Sequence, residues 1–374
     1  MRDSSHGESQ ASAAARLVLG DGSVFEGTPF GAPVSTEGEV VFATGMVGYP
    51  ESLTDPSYRG QILTLTYPLI GNYGVPSRAV TDVVKRDFES TKIHARALIV
   101  STLSPDFTHW SAESSLSAWL AEEGIVGLTG VDTRALTKKL RSEGTVSGKV
   151  LVVDDPNREQ VESAPFGDIG ATNWVAEVST PEPILHEPDG GGSQRVILVD
   201  CGAKTNIVRS LLKRGVGVLQ VPWDHDFNGE DADGILVSNG PGDPAMVEAT
   251  VANLRTALQG DRPLFGICMG NQLVGRAAGC ETYKMKFGHR SQNQPCRQVG
   301  TERCFITSQN HGYALDGKTL PPEWEEWFVN ANDGTNEGIR HKSKPFWTVQ
   351  FHPEAKPGPE DTAFLFDEFV EKLR

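Results

Sequence analysis

From residue 195 onward, short apolar runs alternate with segments of helical periodicity, and few architectures accommodate that order. VILVD, ending at Asp200, is a continuous apolar run of the kind that suits a strand buried on both faces. NIVRSLLKRG follows, with Ile207, Val208, Leu211 and Leu212 at helical spacing and a stop at Gly215. GVLQV, GILVS and PLFGI supply three more strands, with a helix carrying Val247, Val251, Leu254 and Leu258 between the last two. Repeated βαβ units predict an α/β, doubly wound, mostly parallel sheet over residues 195–374. Such sheets bind ligands at the carboxyl ends of their strands.

The preceding part reads differently. Between about residues 16 and 153, short runs at Arg16–Leu19, Glu39–Ala43 and Gln61–Tyr67 are separated by Gly and Pro turns, which predicts strands. Two helices are expected near residues 115–124 and 133–144. Leu116, Trp119 and Leu120 form one face of the first; Asp132 caps the second and Gly144 stops it. This is a smaller α+β domain. Residues 154–194 are rich in Pro, Glu, Asp and Gly and read as a linker, and residues 1–15 as a disordered polar tail without the apolar core of a signal peptide. A chain of 374 residues is long enough for both domains to bury their own cores.

The chemistry is expected just past the strands of the second domain. GICMG, residues 266–270, follows an apolar strand and opens a helix. This is the G-x-C-x-G form of a nucleophile elbow: flanking glycines permit the sharp turn, and the helix N-terminus favours a thiolate at Cys268. The bland alternative is a buried cysteine in a tight turn. FHPE, residues 351–354, ends the run PFWTVQFHPE; on a strand, His352 and Glu354 would share a face as base and orienting carboxylate. SNGPGDP, residues 238–244, is a rigid loop whose amides suit a developing oxyanion. His311 in QNHGY is a competing histidine without a carboxylate at strand spacing, and ranks second as a packing residue.

With these motifs in this order, the second domain resembles the class I, or triad, glutamine amidotransferases. GEVVFATGMVGYPESLTDPSY, QILTLTYPLIGNYG and GVDTRALTKKLR in the first domain narrow the resemblance to the small chain of glutamine-hydrolysing carbamoyl-phosphate synthase, over nearly the whole sequence. The resemblance implies a triad of Cys268, His352 and Glu354, a γ-glutamyl thioester, and ammonia passed through a tunnel to a large chain that uses bicarbonate and ATP to make carbamoyl phosphate for arginine and pyrimidine synthesis. It places L-glutamine contacts on Gly45, Gly240, Gly242, Met269, Gln272, Asn310, Gly312 and Tyr313. Gly45 stands where some members have a serine, and Met269 and Asn271 where the elbow commonly has Leu and His. No cofactor is expected in this chain, which has no GxxxxGK[ST] loop; ATP and Mg belong to the large chain.

Charge and cysteine usage bound the remaining partners. A formal charge of −15 argues against nucleic acid and anionic membranes, and no apolar run is long enough to span a bilayer. The five dispersed cysteines give neither a disulfide framework nor metal-ligand spacing, so no metal site and a reducing, cytoplasmic setting are expected. Two other readings remain: a different triad amidotransferase or cysteine hydrolase, and a non-catalytic subunit that only activates a large chain.

Overall fold

The computed structural model describes residues 15–373 apart from 80, 81, 83, 85, 86 and 168. The tail expected over residues 1–15 lies outside the described residues except for Ala15, which opens the first strand.

Seven strands of the first domain close into a barrel: β1 (Ala15–Leu19), β2 (Val24–Gly31), β3 (Thr36–Ala43), β4 (Gln61–Leu65), β5 (Ala97–Ile99), β6 (Val126–Thr129) and β7 (Val146–Val152), in the order β1-β7-β3-β4-β5-β6-β2. Strand alternation builds two cores. Val40, Ile62, Ala97 and Ile99 belong to one, while their neighbours Val41, Leu63 and Leu98 belong to the other. Helix α1 (Tyr49–Thr54) follows β3, and helix α2 (Leu116–Glu122) inserts Leu116, Trp119 and Leu120 into the second core. Helix α3 (Thr133–Glu143) sends Leu136 and Leu140 to the first. Its start is capped as expected, Asp132 Oδ1 accepting from Ala135 N at 2.8 Å, and Gly144 ends it at φ 103°.

The segment with linker composition is packed. It carries two short helices, α4 (Arg158–Ser163) and α5 (Trp174–Val178), and an edge strand, β8 (Ile184–His186). Val175 joins a core of the second domain, and the Trp174 ring lies 5.8 Å from the Arg96 guanidinium of the first.

The second domain is a ten-stranded sheet. Its further strands are β9 (Gln194–Asp200), β10 (Val216–Pro222), β11 (Gly234–Val237), β12 (Leu264–Ile267), β13 (Thr282–Gln298), β14 (Cys304–Leu315), β15 (Trp324–Asn330), β16 (Asn336–His341) and β17 (Phe346–Val349), ordered β8-β10-β9-β11-β12-β17-β16-β15-β13-β14. The run β10-β9-β11-β12-β17 is parallel, as the βαβ alternation requires. Beyond β17 the sheet continues antiparallel, so the parallel order covers only half of it. Helices α6 (Thr205–Leu212) and α9 (Phe364–Val370) cover one face, packing Ile207, Leu211, Phe366 and Phe369 on Leu198 and Phe265. Helices α7 (Glu248–Ala257) and α8 (Met269–Ala278) cover the other, packing Val251, Leu254 and Leu273 on Val199 and Ile235. Double coverage is why the parallel strands read as unbroken apolar runs.

The barrel is bolted to the end of this sheet where the parallel strands finish by buried polar groups. Glu89, wholly inaccessible, pairs with Arg209 Nη1 at 3.0 Å and accepts from Asn206 N at 3.1 Å, while its own carbonyl accepts from Thr205 N at 2.9 Å. Asp55, just after α1, accepts from Asn310 Nδ2 at 3.0 Å. Removing one partner of a buried pair leaves an uncompensated charge. Arg209→Met is therefore expected to lower unfolding stability by about 3 kcal/mol, read from urea denaturation; a midpoint unchanged from wild type would show that the pair does not hold the domains together.

Candidate active site

Strand β12 ends at Ile267 and α8 begins at Met269, leaving Cys268 alone in the turn at φ 55°, ψ −100°. A non-glycine residue in such a conformation carries about 1–3 kcal/mol of strain and persists only where its surroundings hold it. Cys268 N donates to Val349 O at 2.8 Å, and Gly270 N to Ser238 O at 3.0 Å, so the strands on either side fasten the turn. Gly270 has to be glycine, because a Cβ there would lie 2.2 Å from Val237 O. Cys268 is buried; its thiol donates to Asn310 O at 3.7 Å, and Gln350 Nε2 lies 3.6 Å from the sulfur.

His352 and Glu354 come together by a different route from the one expected. Strand β17 stops at Val349, so the two residues do not share a strand face. They occupy the turn that follows, closed by Ala355 N donating to His352 O at 3.1 Å and anchored by His352 N donating to Ser308 O at 2.9 Å. Proline between them bends the chain so that His352 Nδ1 meets Glu354 Oε1 at 2.6 Å. His352 Nε2 is buried, and the Cys268 sulfur is the group that interacts with the ring from the side away from Glu354. Burial alone would push the imidazole pKa down, but the negative charges of Glu354 and Cys268 outweigh it and raise His352 to about 10. Burial would likewise raise Glu354, yet Lys204 and His352 hold it down to about 2. Lys204, almost wholly buried, lies 3.2 Å from Glu354 Oε1 and donates to Ala355 O.

One pocket at the carboxyl end of the parallel strands gathers Cys268 with seven of the eight expected glutamine contacts: Gly240, Gly242, Met269, Gln272, Asn310, Gly312 and Tyr313. Its opposite wall comes from the barrel (Glu39, Ser57, Arg59, Gln61) and from Trp174. Gln272 is tied down by donating from Nε2 to Tyr313 O at 2.8 Å. Gly45 lies elsewhere, lining a second cavity with His352, Lys204, Asn310 and Gln292. A Cβ at Gly45 would sit 2.7 Å from Gln292 Nε2, which donates to Val47 O at 2.7 Å, so the Gln292 side chain occupies the space beside Gly45.

His311 takes no part in the triad. Its Nδ1 lies 2.8 Å from Tyr313 O and its Nε2 3.1 Å from Gln309 Oε1. With His289 and Glu337 it forms the one metal-type grouping among the described residues, but His289 is already engaged with Gln309 and Asp333, each at 2.9 Å. Asp55, Lys204, Arg290 and Gln350 were not anticipated from sequence. Arg290, buried in the pocket wall, feels Glu39 and the Cys268 sulfur. Of the four, Asp55 alone had a signal, in the Asp-Pro-Ser-Tyr turn; Lys204 and Gln350 are single residues beside element ends, and Arg290 is one polar residue within the long strand β13.

A thiol on a strained strand-to-helix turn, a buried His–Glu pair and a doubly wound sheet define a class I glutamine amidotransferase domain, and residues 197–372 match that family. Residues 17–150 match the CPSase domain of the carbamoyl-phosphate synthase small chain. The carbamoyl phosphate synthase arginine-specific small chain of Chaetomium globosum is 46% identical, over 96% of this chain and 78% of its own. The chain therefore belongs to the carbamoyl-phosphate synthase small-chain family. It is also 50% identical to multifunctional protein pyr-3 of Neurospora crassa and 51% to multifunctional protein CAD of Squalus acanthias. Each match takes in 96% of this chain, which spans 21% and 16% of those two longer proteins.

The two shifts set a pH window. His352 is held above its ordinary 6.5, so its contribution to stability is complete below that pH and is lost as pH rises towards about 10. Glu354 is held below its ordinary 4.5, so its contribution is complete above that pH and is lost as pH falls towards about 2. The drop in urea midpoint caused by His352→Gln is expected to be largest between these two ordinary values and to shrink steadily from pH 7 to 10. A drop that stayed constant across that range would reject the charged imidazole.

Proposed function

We propose that this chain is the glutaminase component of a carbamoyl-phosphate synthase, acting on L-glutamine through Cys268. The observation that carries the reading is Cys268 held in the elbow beside a buried His352–Glu354 pair. In this scheme the thiol proton passes to His352 and the sulfur attacks the glutamine side-chain carbonyl. The C–N bond of the tetrahedral adduct breaks as His352 returns its proton to the departing nitrogen, leaving ammonia and a γ-glutamyl thioester that water then hydrolyses. Amides of the 240–242 loop and of Met269 suit the developing oxyanion. Arg290 and Glu39, opposite charges on the pocket wall, suit the α-carboxylate and α-ammonium of a free amino acid.

Ammonia is consumed elsewhere, by a synthetase unit that binds ATP and Mg and makes carbamoyl phosphate for arginine and pyrimidine synthesis. That unit is a separate large chain, paired with this one as a heterodimer in the cytoplasm. The cavity sharing His352 and Asn310 with the site, and rimmed by exposed Met46 and Val47, offers a route away from the glutamine pocket towards such a partner. Among the described residues no helix is long and apolar enough to cross a membrane. All five cysteines are free, in keeping with a reducing compartment.

Ammonia release from glutamine by the purified chain, alone and with a synthetase partner plus ATP, tests the proposal. Turnover is expected to rise on adding the partner, since a gated site avoids wasting glutamine, and Cys268→Ala is expected to lower it by at least about a thousandfold. Equal inactivity of wild type and Cys268→Ala with the partner present would favour a purely regulatory subunit.

A further inference from the structure

Gln350 follows β17, is wholly buried, and has no role in the scheme above. Its side-chain orientation is determined by its neighbours. The Tyr313 carbonyl can only accept, so it fixes the amide of Gln272 with Nε2 towards it at 2.8 Å. The second N–H of that nitrogen then faces Gln350 Oε1 at 3.2 Å, and Asn271 Nδ2 donates to the same oxygen at 3.0 Å. Asn271 is oriented in turn by Thr348 Oγ1, which donates to its Oδ1 at 2.6 Å. With both lone pairs of Oε1 taken, Gln350 turns its NH2 towards the Cys268 sulfur, 3.6 Å away. Reversing the amide would set its donors against those of Asn271 and Gln272.

We propose that Gln350 is a further catalytic residue, whose amide N–H holds negative charge on Cys268 Sγ, and that Asn271 is the positioning residue that aims it. When the thiol proton leaves for His352, the electron pair stays on sulfur and the Gln350 N–H receives it. Once sulfur is acylated it is a poor acceptor and the hydrogen bond weakens. When the C–S bond of the hydrolytic adduct breaks, the pair returns to sulfur and the bond re-forms. The donor thus acts selectively on charged sulfur, which is how a fixed dipole favours a reacting state. Gln350 keeps its own proton throughout. Asn271 carries no titratable group, so the aim does not change with pH.

The charged and titratable groups around the sulfur are His352, backed by Glu354 and Lys204, and Arg290 and His311 on the antiparallel strands. All remain in the variant Gln350→Met, which is close in volume and cannot donate. The inference rests on Cys268 as the nucleophile, but alkylation by iodoacetamide reads it without glutamine turnover, so its failure and that of the glutaminase reading are separable. Modification of Cys268 is followed by peptide mass spectrometry, because Cys304 is exposed and also reacts. At pH 6 the alkylation rate of Gln350→Met is expected to fall about tenfold, in the range a hydrogen bond to a charged group supports, and the gap to close as pH rises to 10. Equal rates at pH 6, or a deficit that does not narrow with pH, would overturn the proposal. If Gln350→Met does not fold, by circular dichroism, Asn271→Ala decides: about a threefold loss that narrows with pH supports the aim, and an unchanged rate refutes it.

Discussion

A sulfur anion survives in a dry pocket only if positive charge and oriented donors are fixed beside it before it forms. In this chain that requirement falls on a buried line of charge beside Cys268, formed by His352, Glu354 and Lys204, in which each member makes the next one tolerable. Glu354 holds His352 in its charged form, and Lys204 holds Glu354 in its own. Lys204 could not stay charged in this position without the carboxylates of Glu354, Glu89 and Asp55, which outweigh its burial. His352 and Glu354 are therefore one end of a longer buried ion network.

Two members of that network, Glu89 and Asp55, belong to the barrel domain. This gives the first domain a chemical reason to sit where it does: it lines the pocket at Cys268 and supplies carboxylates to Lys204, behind Glu354. A class I amidotransferase sheet alone would leave Lys204 without Glu89 and Asp55, and Asn310 without its partner.

Local patterns were legible where local physics decides them. The caps of α3, the apolar strands and the glycine-framed turn at Cys268 each follow from a few consecutive residues, because capping, double-sided burial and a tight strand-to-helix turn are short-range constraints. The antiparallel extension was not legible, since β13 and β14 are long, half-polar strands whose pairing is settled by partners far along the chain. Strand periodicity also misplaced FHPE: His352 and Glu354 do meet, but through a turn that the proline imposes rather than through the pleat.

By itself the sequence brought Cys268, His352 and Glu354 forward as candidates and determined which kind of sheet presents them. These are carried by motifs whose spacing is their chemistry. Only the tertiary structure decided that Lys204 and Glu89 stand behind His352 and Glu354, that Gln350 faces the sulfur, and that Gly45 opens onto another cavity. The physical reason is distance along the chain. Glu89 and Arg209 are 120 residues apart, and Lys204 reaches across about 150 to Glu354. Such charges become partners only once the fold has brought them together and excluded the water between them.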